Sequence, residues 1–298
     1  MIQCEELTKD FGGTRALNGC SFQIEAPTLT GVIGVNGAGK TTLFKILAGF
    51  LRPSSGEARV LGEPAFQNIN VAQNVVLNEG RMTFHANATL QELVHSYGRF
   101  YLNFDEKLAR GLLEYFQLDE KRQYSKLSKG MASTFRLIIT LAARAPITLL
   151  DEPANGMDPT VRKDLYEVIL KDYIKVPRII LIASHYLGEM EQILENMLLI
   201  HGGKVMLHSA LEEFQTFLVA LKGSPQAIKP IEEKLQVYEG KDFGPGIRQI
   251  VVKREAFQQL QLKEEEAGVL KTTGISLEDS FIYLTQRKGG GIDELYHS

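Results

Sequence analysis

An α/β fold built on a parallel sheet is what this sequence predicts, and three observations carry the prediction. First, the apolar run Leu29-Thr30-Gly31-Val32-Ile33 leads directly into Gly34-Val35-Asn36-Gly37-Ala38-Gly39-Lys40-Thr41-Thr42, a match to G-x-x-x-x-G-K-[ST]. Leu43, Phe44, Ile46 and Leu47 then continue it with helical spacing. Second, two uninterrupted apolar runs, 147–150 and 179–183, flank a helical segment over about 160–174. Short runs of this kind suit strands buried on both faces, as in a parallel sheet crossed by helices. Third, residues 89–144 switch to the period of a helix, with apolar side chains at Leu90, Leu93, Val94 and Tyr97, at Leu108, Leu112, Leu113 and Phe116, and at Phe135, Leu137, Ile138 and Leu141. That stretch predicts a mainly helical insert.

Taken in order, residues 2–7 and 16–24 read as strands of an antiparallel layer, joined across Gly12-Gly13, and 29–33 as a third strand. Phe11 stands just before the glycine pair. It is either an ordinary edge or core aromatic, or a ring lifted out of the strand and free to stack. In the loop at 34–42 the glycines let backbone N–H groups face inward, so a polyphosphate can sit at the start of the next helix. Lys40 would reach the β- and γ-phosphates and Thr41 would ligate Mg²⁺. The helix over 42–51 stops at Arg52-Pro53-Ser54-Ser55-Gly56, and a strand pair over 58–61 and 75–78 follows.

Beyond about Ser209 the composition shifts toward Glu, Lys and Gln, which predicts a separate small domain. Its elements read as strand 217–221, helix 225–235, strands 236–239 and 247–252, helix 255–266 and strand 269–272, the β-α-β-β-α-β order of a ferredoxin-like α+β unit. A last helix over 276–287 starts with Ser276 as cap and Glu278 and Asp279 in its first turn. Residues 288–298, opening on Lys288-Gly289-Gly290-Gly291, read as a flexible tail.

With 298 residues, 44% hydrophobic and 23% charged, the chain has the make-up of a soluble globular protein, and a net charge of -3 gives no general attraction to nucleic acid. The longest apolar runs are too short to span a bilayer, and residues 1–6 lack a basic region leading into an apolar one, so the chain is expected in the cytoplasm. Cys4 and Cys20 are too few for a disulfide framework and have no metal-ligand spacing; they are expected to be buried free thiols.

Three further features carry chemistry. Asp151-Glu152-Pro153 follows the strand at 147–150, and the carboxyl end of a parallel strand is where such sheets place ligands. Asp151 is placed to hold Mg²⁺ directly or through water, and Glu152 to orient or deprotonate an attacking water. Leu127-Ser128-Lys129-Gly130-Met131 opens a helix and is either a plain cap or a second anion-binding turn. Ser184-His185 ends the strand at 179–183; a lone histidine is commonly structural, but its neighbours make His185 a contact for a γ-phosphate.

Across about residues 1–210 these segments resemble the nucleotide-binding subunit of an ATP-binding cassette (ABC) transporter. The loop at 34–42 is similar to the Walker A motif, 127–131 to the signature usually written LSGGQ, and 147–153 to Walker B with its catalytic glutamate. Asn155-Gly156-Met157-Asp158 resembles the D-loop and Ser184-His185 the switch histidine. The resemblance implies a P-loop NTPase fold of ABC type, with a mixed sheet, an antiparallel β layer and a helical subdomain at about 85–145. It also implies roles: Phe11 stacks on adenine; Asn36, Gly37, Ala38, Gly39, Lys40, Thr41 and Thr42 hold phosphate; Ser128, Gly130 and Asp158 act across a dimer; Glu152 and His185 are catalytic. Residues 78–81 would be the Q-loop. Glu79, or less directly Gln73, stands where that loop normally offers Gln, so Thr41, Asp151 and Glu79 become the candidate Mg²⁺ ligands. In the signature, Lys129 replaces the first Gly and Met131 the Gln.

By the same resemblance Ser128 completes the site of a partner cassette, identical or not, and ATP joins the two. The partners implied are that second ATPase subunit and a separately encoded transmembrane permease, contacted through residues 81–101, with no nucleic acid involved. Residues 211–287 resemble accessory domains of bacterial drug and antibiotic exporters, and 277–285 an ending common in that group. The expected protein is thus a Mg²⁺-dependent ATP hydrolase at the cytoplasmic face of a membrane. The alternative is a soluble ABC ATPase or regulatory module not coupled to transport.

Overall fold

The computed structural model describes residues 1–285 apart from 81, 83, 86, 245 and 261–269. Arg81 of the expected Q-loop, the ends of the helices expected at 255–266 and 276–287, the first residue of the strand expected at 269–272 and the expected tail lie outside the described residues. The chain divides into two compact units, with the boundary between Ala210 and Leu211.

The first unit begins with β1 (Ile2–Phe11) and β2 (Thr14–Ile24), an antiparallel hairpin whose turn, Gly12-Gly13, has φ of 60° and 109°, values that glycine tolerates and other residues avoid. β3 (Thr28–Ile33) is buried at all six positions and enters the phosphate-loop segment, after which α1 (Lys40–Leu47) begins. β4 (Ser55–Val60) pairs with β1 on one side and with the short β5 (Glu63–Pro64) on the other, giving an antiparallel sheet in the order β2-β1-β4-β5. α2 (Ile69–Asn74) follows, capped by the Asn68 side chain, and then β6 (Val75–Asn78).

The helical insert comprises α3 (Leu90–Phe100), α4 (Glu106–Tyr115) and α5 (Lys129–Ala142). Thr89 and Glu92 form a reciprocal capping box at α3, and Leu90, Leu93, Val94, Leu112, Leu113, Phe135 and Ile138 share one core. The chain returns through β7 (Ile147–Asp151), α6 (Pro159–Lys175), β8 (Ile179–Ala183), α7 (Leu187–Met190), β9 (Asn196–His201) and β10 (Lys204–Ala210). The second sheet runs β10-β9-β3-β8-β7-β6 and is parallel except for the edge pair β9 and β10, so it is mixed. One core joins both sheets through α1, including Ile2, Leu17, Phe44, Leu47, Val60, Leu149 and Leu181. Cys4 and Cys20 are free and buried in it, and burial pushes both thiols up.

The pairing expected between 58–61 and 75–78 does not form. β4 alternates between buried and solvent-facing positions and belongs to the one-sided antiparallel layer. β6 is buried at every position and therefore seeks the two-sided sheet, beside β7. The first helix also ends at Leu47 rather than 51. Gly49 turns the chain out at φ 77°, and a Cβ there would meet the Ala65 carbonyl at 2.6 Å. The hairpin of β9 and β10, turning on Gly202-Gly203, is absent from the expected elements.

The second unit consists of α8 (Leu211–Phe217), β11 (Leu218–Gly223), α9 (Pro225–Glu232), β12 (Val237–Asp242), β13 (Arg248–Lys253), α10 (Arg254–Gln258), β14 (Lys271–Thr273) and α11 (Leu277–Thr285). Its sheet is antiparallel in the order β12-β13-β11-β14, with Val219, Leu221, Ile250 and Val252 facing Ile228 and Ile231 of α9.

One buried ionic cluster fastens the helical insert to the parallel sheet. Arg144, just past α5, contacts Asp105 at 3.1 Å and Asp172 at 2.6 Å, the latter contact lacking hydrogen-bond geometry. Arg178 donates to Asp172 at 2.7 Å and to the Thr148 hydroxyl at 3.2 Å. Removing Asp172 would leave two buried guanidinium groups short of an anion, which costs about 3–5 kcal/mol. Asp172→Ala is therefore expected to lower the stability of the first unit by that amount in chemical denaturation; a loss within ~0.5 kcal/mol, typical of surface substitutions, would show the cluster to be dispensable.

Candidate functional site

The parallel pairing β3-β8-β7-β6 brings four strand ends to one edge of the sheet. Val32 and Asp151 both pair with Ala183, and Leu150 pairs with Asn78, so the residues that leave these strands do so at a common level. From β3 comes the loop 34–39, from β8 Ser184 and His185, from β7 Asp151 and Glu152, and from β6 Glu79.

The loop is shaped by glycine. Gly39 has φ 107°, and a Cβ on it would lie 2.4 Å from the Ala16 carbonyl; one on Gly34 would lie 2.4 Å from the Ile200 carbonyl. Ala38 donates its N–H to the Val35 carbonyl at 3.0 Å, which closes the turn. No side chain caps α1, so the N–H groups of its first turn are free to meet an anion. Lys40 arches back and donates to the Gly34 carbonyl at 2.6 Å and the Val35 carbonyl at 3.4 Å. Burial lowers its ammonium pKa, against the opposing pull of Glu152 and Asp151. Asn36 and Gly37 are exposed at the tip, and Thr42 is half-buried in α1.

Thr41 donates its hydroxyl proton to Asp151 Oδ2 at 2.6 Å. The Asp151 carboxylate is buried, and desolvation raises its pKa while the Thr41 bond and the Lys40 charge hold it down. Glu79 lies beside them and pairs with Lys45 Nζ at 3.0 Å. Gln73, the other candidate for that position, is exposed on α2 and lines no part of this cleft. Next along the edge, Glu152 Oε2 and His185 Nδ1 are 2.6 Å apart. Glu152 sits at φ 50°, a left-handed conformation that a side chain other than glycine adopts at some cost.

An open cleft of about 940 Å³ runs along this edge, lined by Thr41, Lys45, Glu79, Asp151 and Glu152 and, from the helical insert, by Ser128, Lys129 and Arg136. Ser128 caps α5, accepting the Met131 N–H at 3.2 Å, and its own O–H can donate outward. Gly130 approaches the chain at Gly156, where a Cβ would stand 3.1 Å from the carbonyl. Asp158 caps α6, accepting the Val161 N–H at 3.1 Å; it shares with Ser128 and Gly130 a second cleft of about 470 Å³. Phe11 is not among the residues lining the larger cleft. It ends β1, is 51% exposed, and has Lys9 Nζ 5.1 Å from its ring centre.

Beyond the residues expected from the sequence, the cleft is lined by Lys45, Tyr124, Ser125, Ala132, Ser133 and Arg136. Lys45 lies one helical turn beyond Thr41, and that i, i+4 spacing was the available signal. Arg136 is held to the Tyr124 hydroxyl at 3.0 Å and the Ser133 hydroxyl at 2.7 Å, a placement that only packing of the insert reveals. Among the described residues no group of three or more His, Cys, Asp or Glu side chains is placed to hold a metal ion. The Thr41 hydroxyl with the Asp151 and Glu79 carboxylates is instead a sparse set of hard oxygen donors. That set suits Mg²⁺, which is bound through one or two carboxylates and keeps its remaining positions for water and phosphate.

Residues 17–155 match the family model described as ABC transporter. The ABC transporter ATP-binding protein YtrB of Bacillus subtilis (strain 168) is 30% identical over 192 residues, 64% of this chain and 66% of that relative. The bacitracin transport ATP-binding protein BcrA of Bacillus licheniformis is 28% identical over 313 residues, 98% of each chain. Among solved structures, a dimeric ATP-binding cassette in a post-hydrolysis state with ADP and Pi matches at a TM-score of 0.61 and 18% identity, over 71% of this chain and 99% of that one.

The buried charge of Asp151 makes a test of the site without any turnover. Asp151→Asn keeps an acceptor for Thr41 but removes the desolvated charge. Without nucleotide its thermal midpoint is expected to rise by about 2–4 °C, the response of a unit this size to ~1 kcal/mol, while Mg²⁺-dependent nucleotide binding weakens. A midpoint below that of the native protein would show the carboxylate to be stabilising in place.

Proposed function

Because this chain belongs to the ABC transporter family, whose domain it carries at residues 17–155, we propose that it binds and hydrolyses ATP to drive a separate membrane subunit of an exporter. The observation that carries the proposal is the convergence of four adjacent parallel strand ends on one edge of the sheet, with Glu152 and His185 in contact at 2.6 Å. Residues 1–210 are the nucleotide-binding domain and 211–287 an accessory domain.

In this reading the N–H groups of 36–42 and Lys40 hold the phosphates, with Phe11 against the adenine. Lys40 gives up its two carbonyl partners for phosphate oxygens, and the neighbouring Asp151 and Glu152 favour its charged form. Thr41, Asp151 and Glu79 would hold Mg²⁺, which when bound neutralises charge on the phosphate oxygens. Glu152 takes the proton of the attacking water. His185, in contact with Glu152 at Nδ1, presents its other ring nitrogen to the γ-phosphate.

Two cassettes form the working unit: Ser128, Gly130 and Asp158 of one complete the γ-phosphate contacts of the other, whether the two chains are identical or not. Loss of the γ-phosphate removes an anion held from both sides and releases the pair. In this reading the translocation path lies in a separately encoded permease; no helix among the described residues is long and apolar enough to cross a membrane. The exposed side chains of Phe100 (77%) and Leu102 (95%), at the end of α3, support the helical insert as its contact, at the cytoplasmic face. The match to BcrA over nearly the whole of both chains supports transport as the role.

With the permease present, Glu152→Gln is expected to lower ATP turnover by about 10² to 10⁴ while leaving nucleotide affinity unchanged. Undiminished turnover in that variant would remove Glu152 from the role of base.

A further inference from the structure

His185 is 53% exposed, and Glu152 holds only one of its ring nitrogens. A contact of that kind leaves the imidazole free to swing about the bond, yet its proposed task needs a fixed ring. The chain beside it supplies the missing restraint. Tyr186 lies against His185 with ring centres 4.0 Å apart and planes at 39°. On the tyrosine ring sits the guanidinium of Arg162, its central carbon 4.0 Å from the ring centre. Arg162 is itself locked in plane by two parallel bonds to the Glu189 carboxylate, from Nε at 3.1 Å and from Nη2 at 2.8 Å. The backbone of the turn is held as well: Tyr186 donates its N–H to the Ser184 hydroxyl at 3.1 Å, and that hydroxyl meets the Tyr166 hydroxyl at 3.2 Å in the core.

The order Glu189, Arg162, Tyr186, His185, Glu152 is thus a stack braced at both ends by a carboxylate. Arg162 is 14% exposed in its side chain and lines neither the larger cleft nor the one beside Asp158. Its position on α6, four residues after the cap Asp158, ties the stack to the helix whose start faces the second cleft. Only a planar, forked cation can pair flat with a carboxylate and lie flat on a ring together; a lysine ammonium can do one or the other.

We propose that Arg162 and Tyr186 are positioning residues for His185, the stacked guanidinium and phenol fixing the imidazole plane so that its second nitrogen points into the cleft. The inference rests on the reading that His185 contacts the γ-phosphate.

Full-length Arg162→Lys, Arg162→Met, Tyr186→Leu and Tyr186→Phe variants test it through three measurements: kcat, affinity for a fluorescent ATP analogue, and the His185 ring resonances of histidine-labelled protein, assigned with His185→Gln. Displacing a reacting group by ~1 Å can cost 10²-fold. Arg162→Lys, Arg162→Met and Tyr186→Leu are therefore expected to lose about 10- to 100-fold in kcat at unchanged nucleotide affinity, with the His185 resonances shifted or broadened. Tyr186→Phe, which keeps the ring, should match the native protein in all three. The proposal falls if Arg162→Lys retains native kcat, if affinity drops along with kcat, or if kcat falls with the His185 resonances unmoved. A native protein without ATP turnover would overturn the functional reading alone, since the resonances still report whether the stack holds the imidazole.

Discussion

Everything at the site depends on the parallel pairing of β3, β8, β7 and β6. Parallel strands all end at the same edge, so four unrelated segments of sequence deliver their next residues to one line. The pairing holds because each of these strands is buried on both faces, and a register slip by one residue would exchange the two faces of a whole strand. The chemistry therefore sits on the most constrained part of the first unit, while the residues themselves lie just outside the strands, where backbone geometry is free to depart from the extended form. Glu152 at φ 50° uses that freedom directly.

The same edge concentrates charge, and the balance explains several contacts together. Asp151, Glu152 and Glu79 are set against Lys40 and Lys45, and each sign is held in place by the other. Lys45 takes on a share that an uncharged side chain at position 79 would not demand: it neutralises Glu79 and helps hold the neighbouring Asp151 ionised. Desolvation acts in the opposite direction on both signs, lowering Lys40 and raising Asp151. Nucleotide phosphate and a divalent cation would enter a site whose partners are already paired, so binding is an exchange of partners and not the filling of a bare charge.

How much of this was legible follows from what kind of constraint each feature obeys. The runs at 147–150 and 179–183 announce themselves because burial on both faces leaves a continuous apolar word, and the loop at 34–42 because glycine is needed where φ is positive and carbonyls crowd within 3 Å. The order of the motifs then brought out Thr41, the strand-edge carboxylates and the start of α5, but not Lys45 or the insert residues Tyr124, Ser125, Ala132, Ser133 and Arg136 that also line the cleft. Strand partners were another matter: 55–60 and 75–78 are both short, and only their one-sided against two-sided burial, a property of the finished sheet, assigns them to different layers. The hairpin at 196–210 could have been found from Gly202-Gly203, whose φ values of 55° and 74° suit a tight turn. Arg136 and Arg162 were beyond reach, since each acquires its role from side chains brought in by tertiary packing.

The departures in the signature are explained by the same distinction between backbone and side-chain demands. At Ser128 the need is for a hydroxyl at a helix cap, and it is met. At Gly130 the need is for close approach, since the Gly156 carbonyl leaves room for a Cβ only if it yields by a few tenths of an ångström. Position 129 has neither demand: it is an exposed first residue of α5 in a helical conformation, where a side chain can extend into solvent or into the cleft that it lines. Lysine there adds a cation at a helix start already suited to an anion, so replacing the family's first glycine adds positive charge on the side from which a γ-phosphate would be approached. Gly130 is the position whose neighbours leave little room for a Cβ, and at 129 the exposed helix start makes no such demand.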